Sequence, residues 1–144
     1  SEAEKKDGPA AKHDISVPVA DMPGFVVAAA ASVEARFPGV AVNAFGHLGD
    51  GNIHFNVRGP AGAGPEAVEW DAPLFTAFVH DLVVAAGGSI SAEHGIGQMK
   101  LAEFARLGGE ARLGAMRAIK QAIDPKGIMN PGKLVPLAES ARRP

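Results

Sequence analysis

A chain of 144 residues, 47% of them hydrophobic, has the length of one domain with a modest core. A net charge of −2, with 14 scattered basic residues, excludes the electrostatic footprint of a nucleic-acid binder. No apolar run reaches the ~18 residues of a membrane span, and no signal-peptide pattern opens the chain. Without cysteine there is neither a disulfide framework nor a thiolate metal site, which fits a cytoplasmic home.

Residues 1–11 are charged and small, and read as a frayed tail or linker stub. Residues 12–136 read as the domain and 137–144 as a disordered end. Lys12 to Val19 alternates as a strand does, with Lys12, Asp14 and Ser16 on one face and His13, Ile15 and Val17 on the other. Asp21 is a candidate N-cap and Pro23 falls in the first turn of a helix. Phe25, Ala29, Val33 and Phe37 stripe that helix, and Pro38-Gly39 ends it. A hairpin follows from Val40 to Val57, then a Pro/Gly/Ala loop from Gly59 to Pro65. A second helix begins near Pro73 with Leu74, Phe78, Leu82 and Ala85 as its apolar face. His80 on it reads as a surface or boundary histidine. Gly87-Gly88 returns the chain to a strand over Ser89–His94. The order β-α-β-β-α-β predicts an α+β, ferredoxin-like antiparallel sheet with its helices on one face. Two C-terminal helices follow, about 98–106 and 109–123. Leu113, Met116, Ile119 and Ile123 stripe the second as core. Asp124-Pro125 breaks it, and an extended segment runs from Ile128 to Val135.

The hairpin carries the first chemistry. Asp50-Gly51 is a preferred pair for a two-residue type I′ turn, in which both residues take φ > 0. Counting outwards from it, Leu48 faces Ile53, His47 faces His54 and Phe45 faces Asn56. Opposed residues have Cβ atoms roughly 4.5–5.5 Å apart, so His47 and His54 form a cross-strand pair with Asn56 on their face. Two imidazoles so placed suit one metal ion. Glu93-His94, ahead of the flexible Gly95-Ile96-Gly97 bend, adds a carboxylate and a third imidazole. Two histidines and a carboxylate leave positions open for substrate. The plainer alternatives are solvated surface groups or a satisfied structural histidine. The glycines at 46, 49 and 51 lie in a hairpin rather than between strand and helix, so they make no dinucleotide fingerprint.

His47-Leu-Gly-Asp-Gly-Asn-Ile-His54-Phe-Asn56, Glu93-His94-Gly-Ile-Gly97 and Asp124-Pro-Lys-Gly-Ile-Met-Asn-Pro-Gly-Lys133 together resemble the C-terminal domain of FAD-linked 2-hydroxy-acid dehydrogenases and oxidases. That family includes D-lactate dehydrogenases, the glycolate oxidase flavin subunit and D-2-hydroxyglutarate dehydrogenase. The resemblance covers about residues 12 to 136. It implies FAD, bound mainly by an N-terminal domain that nothing here resembles, and a divalent metal, zinc or manganese/iron. It implies His47, His54 and Glu93 as metal ligands and His94 as the base that takes the substrate's hydroxyl proton. Lys12 and Asn56 match substrate contacts of the D-2-hydroxyglutarate branch, and Asn130 matches a flavin contact. Arginine and threonine positions of that branch fall upstream of Lys12 and have no counterpart here. The implied partners are a small 2-hydroxy acid, the FAD domain of a parent chain and an electron-transfer acceptor, with a homodimer also expected. Two other classes stay open at this stage: a non-catalytic ferredoxin-like interaction module, and a His/His/Glu metal hydrolase.

Overall fold

Three antiparallel strands, β1 (Ala10–Ser16), β2 (Ala41–His47) and β3 (Asn52–Arg58), pair in the order β1-β3-β2. The computed structural model describes residues 9–60 and 70–135. The expected tail before residue 9, the end after 135 and most of the loop at 59–65 lie outside them. Within the described residues, β1 already runs at Ala10 and Ala11, which the sequence assigns to the linker stub. Among the described residues four helices also form: α1 (Met22–Arg36), α2 (Ala72–Ala85), α3 (Leu101–Gly108) and α4 (Glu110–Ile123). The chain divides into two units, Ser1–Glu93 and His94–Pro144.

In the first unit, strand alternation gives the sheet one apolar face. Ile15, Ile53, Phe55 and Val57 are fully or almost fully buried there against Ala29 and Val33 of α1 and Phe75, Val79 and Val83 of α2. Phe37 packs edge-on to Phe75, ring centroids 4.8 Å apart, and Trp70 caps Phe75 at 4.9 Å. The stripe predicted for α1 holds. Asp21 does occupy its N-cap position, but without a side-chain capping bond; backbone bonds from Asp21 and Met22 to the Pro18 carbonyl close the turn instead. At α2, Asp71 is the cap and its side chain accepts the Leu74 N–H at 2.9 Å.

The buried face of α2 is turned by one residue from the expected one. Phe75, Val79 and Val83 point inward and Leu74 is exposed. His80, expected at the surface, is 2% exposed and sits edge-on to buried His13, ring centroids 5.7 Å apart. His13 Nδ1 donates to the Phe55 carbonyl at 2.7 Å and Nε2 lies 3.0 Å from the Thr76 hydroxyl. An imidazole engaged at both nitrogens is tolerated inside a core because no polar group is left bare.

The fourth strand is not formed. A single antiparallel bridge, Ser16 to Ser89, stands where it was expected. Side-chain bonds take over beyond it: Ser89 Oγ donates to the Ser91 carbonyl and accepts the Ser91 N–H, while the Asp14 carboxylate accepts the Glu93 N–H. Such local bonds compete with a strand ladder.

The two-residue turn is also corrected. Asp50 is not among the positive-φ residues, as a type I′ turn would require, and the loop is Leu48-Gly49-Asp50-Gly51. Asp50 Oδ1 accepts the Asn52 N–H at 3.2 Å, a side-chain turn that widens the loop. Gly51 has φ +72, and its carbonyl accepts the Val17 N–H. The register therefore moves by two residues: His47 faces Asn52, and Phe45 faces His54.

In the second unit α3 and α4 bury little beyond Phe104 and Leu113. The stripe expected as core on α4 is largely open, with Ile119 and Ile123 60% and 69% exposed. Both line a cleft of about 690 Å³ with Met116, Met129 and Leu134. The segment 128–135 folds into turns rather than a strand. No helix among the described residues is long and apolar enough to cross a membrane.

Candidate functional site

The sheet face opposite the apolar core is polar, and the register sorts it into three rows. Ser16, Asn52 and His47 form the first, Asp14, His54 and Phe45 the second, and Lys12, Asn56 and Asn43 the third. Both helices of the first unit pack on the other side, so alternation leaves this face to chemistry. Four residues expected at a site, Lys12, His47, His54 and Asn56, thus share one face. His47 and His54 are diagonal neighbours instead of a direct pair. His54 packs beside Phe45, ring centroids 5.2 Å apart. Lys12 and Asn56 are direct cross-strand partners.

Glu93 reaches this face from the segment after Ser89. Its Oε1 stands 3.6 Å from His47 Nδ1 and accepts a hydrogen bond from Asn52 Nδ2. Its backbone N–H is held by both oxygens of Asp14, at 3.2 and 3.1 Å, and the Ser91 hydroxyl also donates to Asp14. Asp14 and Asn52 are buried, whereas the His47 and Glu93 side chains are 66% and 47% exposed. The Asp14 and Glu93 carboxylates lie within 4.8 Å of each other, but among the described residues His47, His54 and Glu93 do not form a set of three ligand atoms within that distance, so His54 stands apart from the His47–Glu93 pair. Two ligand atoms on one ion, each bound at roughly 2.1 Å in a tetrahedral arrangement, stand about 3.4 Å apart. The 3.6 Å between His47 Nδ1 and Glu93 Oε1 matches that, and the donor set of imidazole and carboxylate suits a zinc-like ion.

His94 is exposed and begins the second unit. Asn130 belongs to that unit too, exposed in the turn after α4 at φ +45. Asp124, earlier in the same motif, is buried and accepts bonds from Lys120 Nζ at 2.5 Å, Met129 N at 2.9 Å and Ile128 N at 3.1 Å. The Lys120 ammonium, with the Met129 and Ile128 N–H groups, holds its carboxyl below the ordinary carboxylate value against the opposing effect of burial.

Sequence reasoning missed Asp14 and Asn52. Asp14 was legible as a carboxylate on the face of Lys12. Asn52 was hidden because the assumed tight turn set it against Gly49.

An antiparallel sheet with two helices on one face, bearing imidazoles, amides and a carboxylate on the other, defines the first unit as a small α+β fold. The family of FAD linked oxidases, C-terminal domain, matches residues 1–134, and the chain belongs to it. It is 38% identical over 125 residues to a D-2-hydroxyglutarate dehydrogenase of Stutzerimonas stutzeri, covering 85% of this chain and 26% of that protein. The mitochondrial D-2-hydroxyglutarate dehydrogenase of Arabidopsis thaliana is 36% identical over 140 residues, 94% of this chain and 23% of the relative. An uncharacterized FAD-linked oxidoreductase of Mycobacterium tuberculosis is 40% identical over 119 residues, 83% and 24%. The chain thus spans about a quarter of the length of these relatives.

Proposed function

We propose that this chain is the substrate- and metal-binding domain of a flavin-dependent dehydrogenase that oxidises a D-2-hydroxy acid to the 2-oxo acid, with D-2-hydroxyglutarate as the leading substrate. The 3.6 Å approach of Glu93 to His47, on a face that also carries His54, Lys12 and Asn56, is the observation that carries it. The names of the relatives support the substrate class.

His47, His54 and Glu93 would hold the divalent cation. Bound there, the cation would supply Lewis-acid polarisation of the substrate hydroxyl, and FAD would accept the hydride from Cα. Lys12 pairs with a substrate carboxylate, an ammonium–carboxylate bond that positions the acid. Asn56, its cross-strand neighbour, supplies an amide to the same end of the substrate. His94, as a neutral imidazole, takes the hydroxyl proton while the C–H electron pair leaves with hydrogen. Proton and hydride leave together, and a C=O bond replaces C–H and O–H.

Metal titration of the chain and steady-state kinetics of the holoenzyme test this. Lys12→Ala is expected to raise KM for D-2-hydroxyglutarate with a smaller effect on kcat. Absence of metal uptake would favour an interaction module, and an unchanged KM would remove Lys12 from the substrate site.

A further inference from the structure

We propose that Asn52 is a positioning residue whose buried side-chain amide, together with Asp14, sets the Glu93 carboxylate beside His47 in the orientation that a divalent cation requires. The inference rests on the metal reading above and deepens it. Asn52 is 3% exposed and lies in the central strand of the sheet, paired to His47 on one side and Ser16 on the other. Its Nδ2 donates to Glu93 Oε1, the very oxygen that faces His47 Nδ1. Its own backbone is fixed twice. The N–H goes to Asp50 Oδ1, and the carbonyl lies so close to Gly46 that a Cβ there would come within 2.1 Å.

Glu93 is therefore gripped at both ends. Asp14 holds its backbone N–H, and Asn52 holds its carboxylate. The donor is an amide rather than an ammonium, so it orients the carboxylate without cancelling the charge that attracts a cation. Asn52 Oδ1 is buried with no hydrogen-bond partner among the described residues, so the amide is engaged through its donor end, at Glu93. Donation to Glu93 accounts for an asparagine at this position.

The test titrates the 144-residue chain with Co²⁺, read by its visible absorption, in the parent, Asn52→Ala, Glu93→Ala and the double variant. Asn52→Ala is expected to weaken Co²⁺ binding by roughly 10- to 100-fold, the usual effect of losing a group that orients a ligand. In the Glu93→Ala background the same change should cost less than about twofold, because the carboxylate that it acts through is gone. Equal losses in both backgrounds, or none in the parent, would overturn the proposal. A second measurement needs neither metal nor an Asn52 variant. The Asn52 side-chain amide protons, followed by NMR, should shift and exchange faster when Glu93 becomes Ala; unchanged signals overturn the proposal. If the parent takes up no Co²⁺, the metal reading fails, and the amide signals still decide whether Asn52 holds Glu93.

Discussion

Glu93 and His94 are adjacent in sequence but are given separate tasks, and single substitutions separate them. A carboxylate ligand offsets charge and fixes geometry, so Glu93→Ala should lower metal content and activity together. An unligated imidazole that takes a proton leaves metal untouched. In the holoenzyme, His94→Ala should keep metal and flavin but slow flavin reduction by about 10²- to 10⁴-fold in rapid mixing. Loss of metal instead would make His94 a ligand, and an unchanged rate would make it structural. At Gly46 the constraint is steric. A Cβ there would meet the Asn52 carbonyl at 2.1 Å and Ile53 Cα at 3.0 Å, both backbone atoms that cannot swing aside. Gly46→Ala should therefore destabilise the chain by about 1–3 kcal/mol in denaturant unfolding. It should also weaken metal binding, since Asn52 must shift.

Elements differ in how strongly their own sequence fixes them. The hairpin loop follows the Asp50 side chain, which bonds to the Asn52 N–H and so overrides the tight turn that Asp-Gly otherwise favours. Helix α4 shows a stripe that periodicity alone would bury, yet Ile119 and Ile123 stand open along the cleft. Ile123→Ser should accordingly change stability by no more than about 0.5 kcal/mol, against roughly 2–5 kcal/mol for Leu113→Ala, in parallel unfolding curves. The end of α4 is held through Asp124. Its carboxyl titrates below the ordinary value, so the stabilisation is present above the unfolded carboxylate value of about 3.9 and is lost as pH falls through the lower folded value. Protection of the Ile128 and Met129 amides, relative to their intrinsic exchange rate at each pH, should persist at pH 5 and fall only in stronger acid. In Asp124→Asn the protection should be lower throughout the range above that value, because the charged acceptor is missing.

At the scale of the whole molecule, the chain carries one polar sheet face and spans about a quarter of its relatives' length. The 144-residue chain is expected to retain little FAD after desalting, as the glycines at 46, 49 and 51 lie in a hairpin and offer a flavin pyrophosphate no helix N-terminus. A stably yellow protein would overturn this.

By itself the sequence determined the three strands, all four helices to within a few residues and the polar content of one sheet face. Strand alternation depends only on parity, and the register moved by two residues. Every side chain therefore kept its face although His54 changed partner from His47 to Phe45. Tertiary structure decided the rest. On α2 two stripes, Leu74-Phe78-Leu82 and Phe75-Val79-Val83, have the same spacing, and periodicity cannot choose between them. Packing of Phe75 between Phe37 and Trp70 chose the second, and carried His80 into the core. The grip of Asn52 and Asp14 on Glu93 was likewise invisible, since it joins residues 41 and 79 positions apart. Local pattern fixes which face a side chain takes; only long-range packing and hydrogen bonding fix which atom it meets.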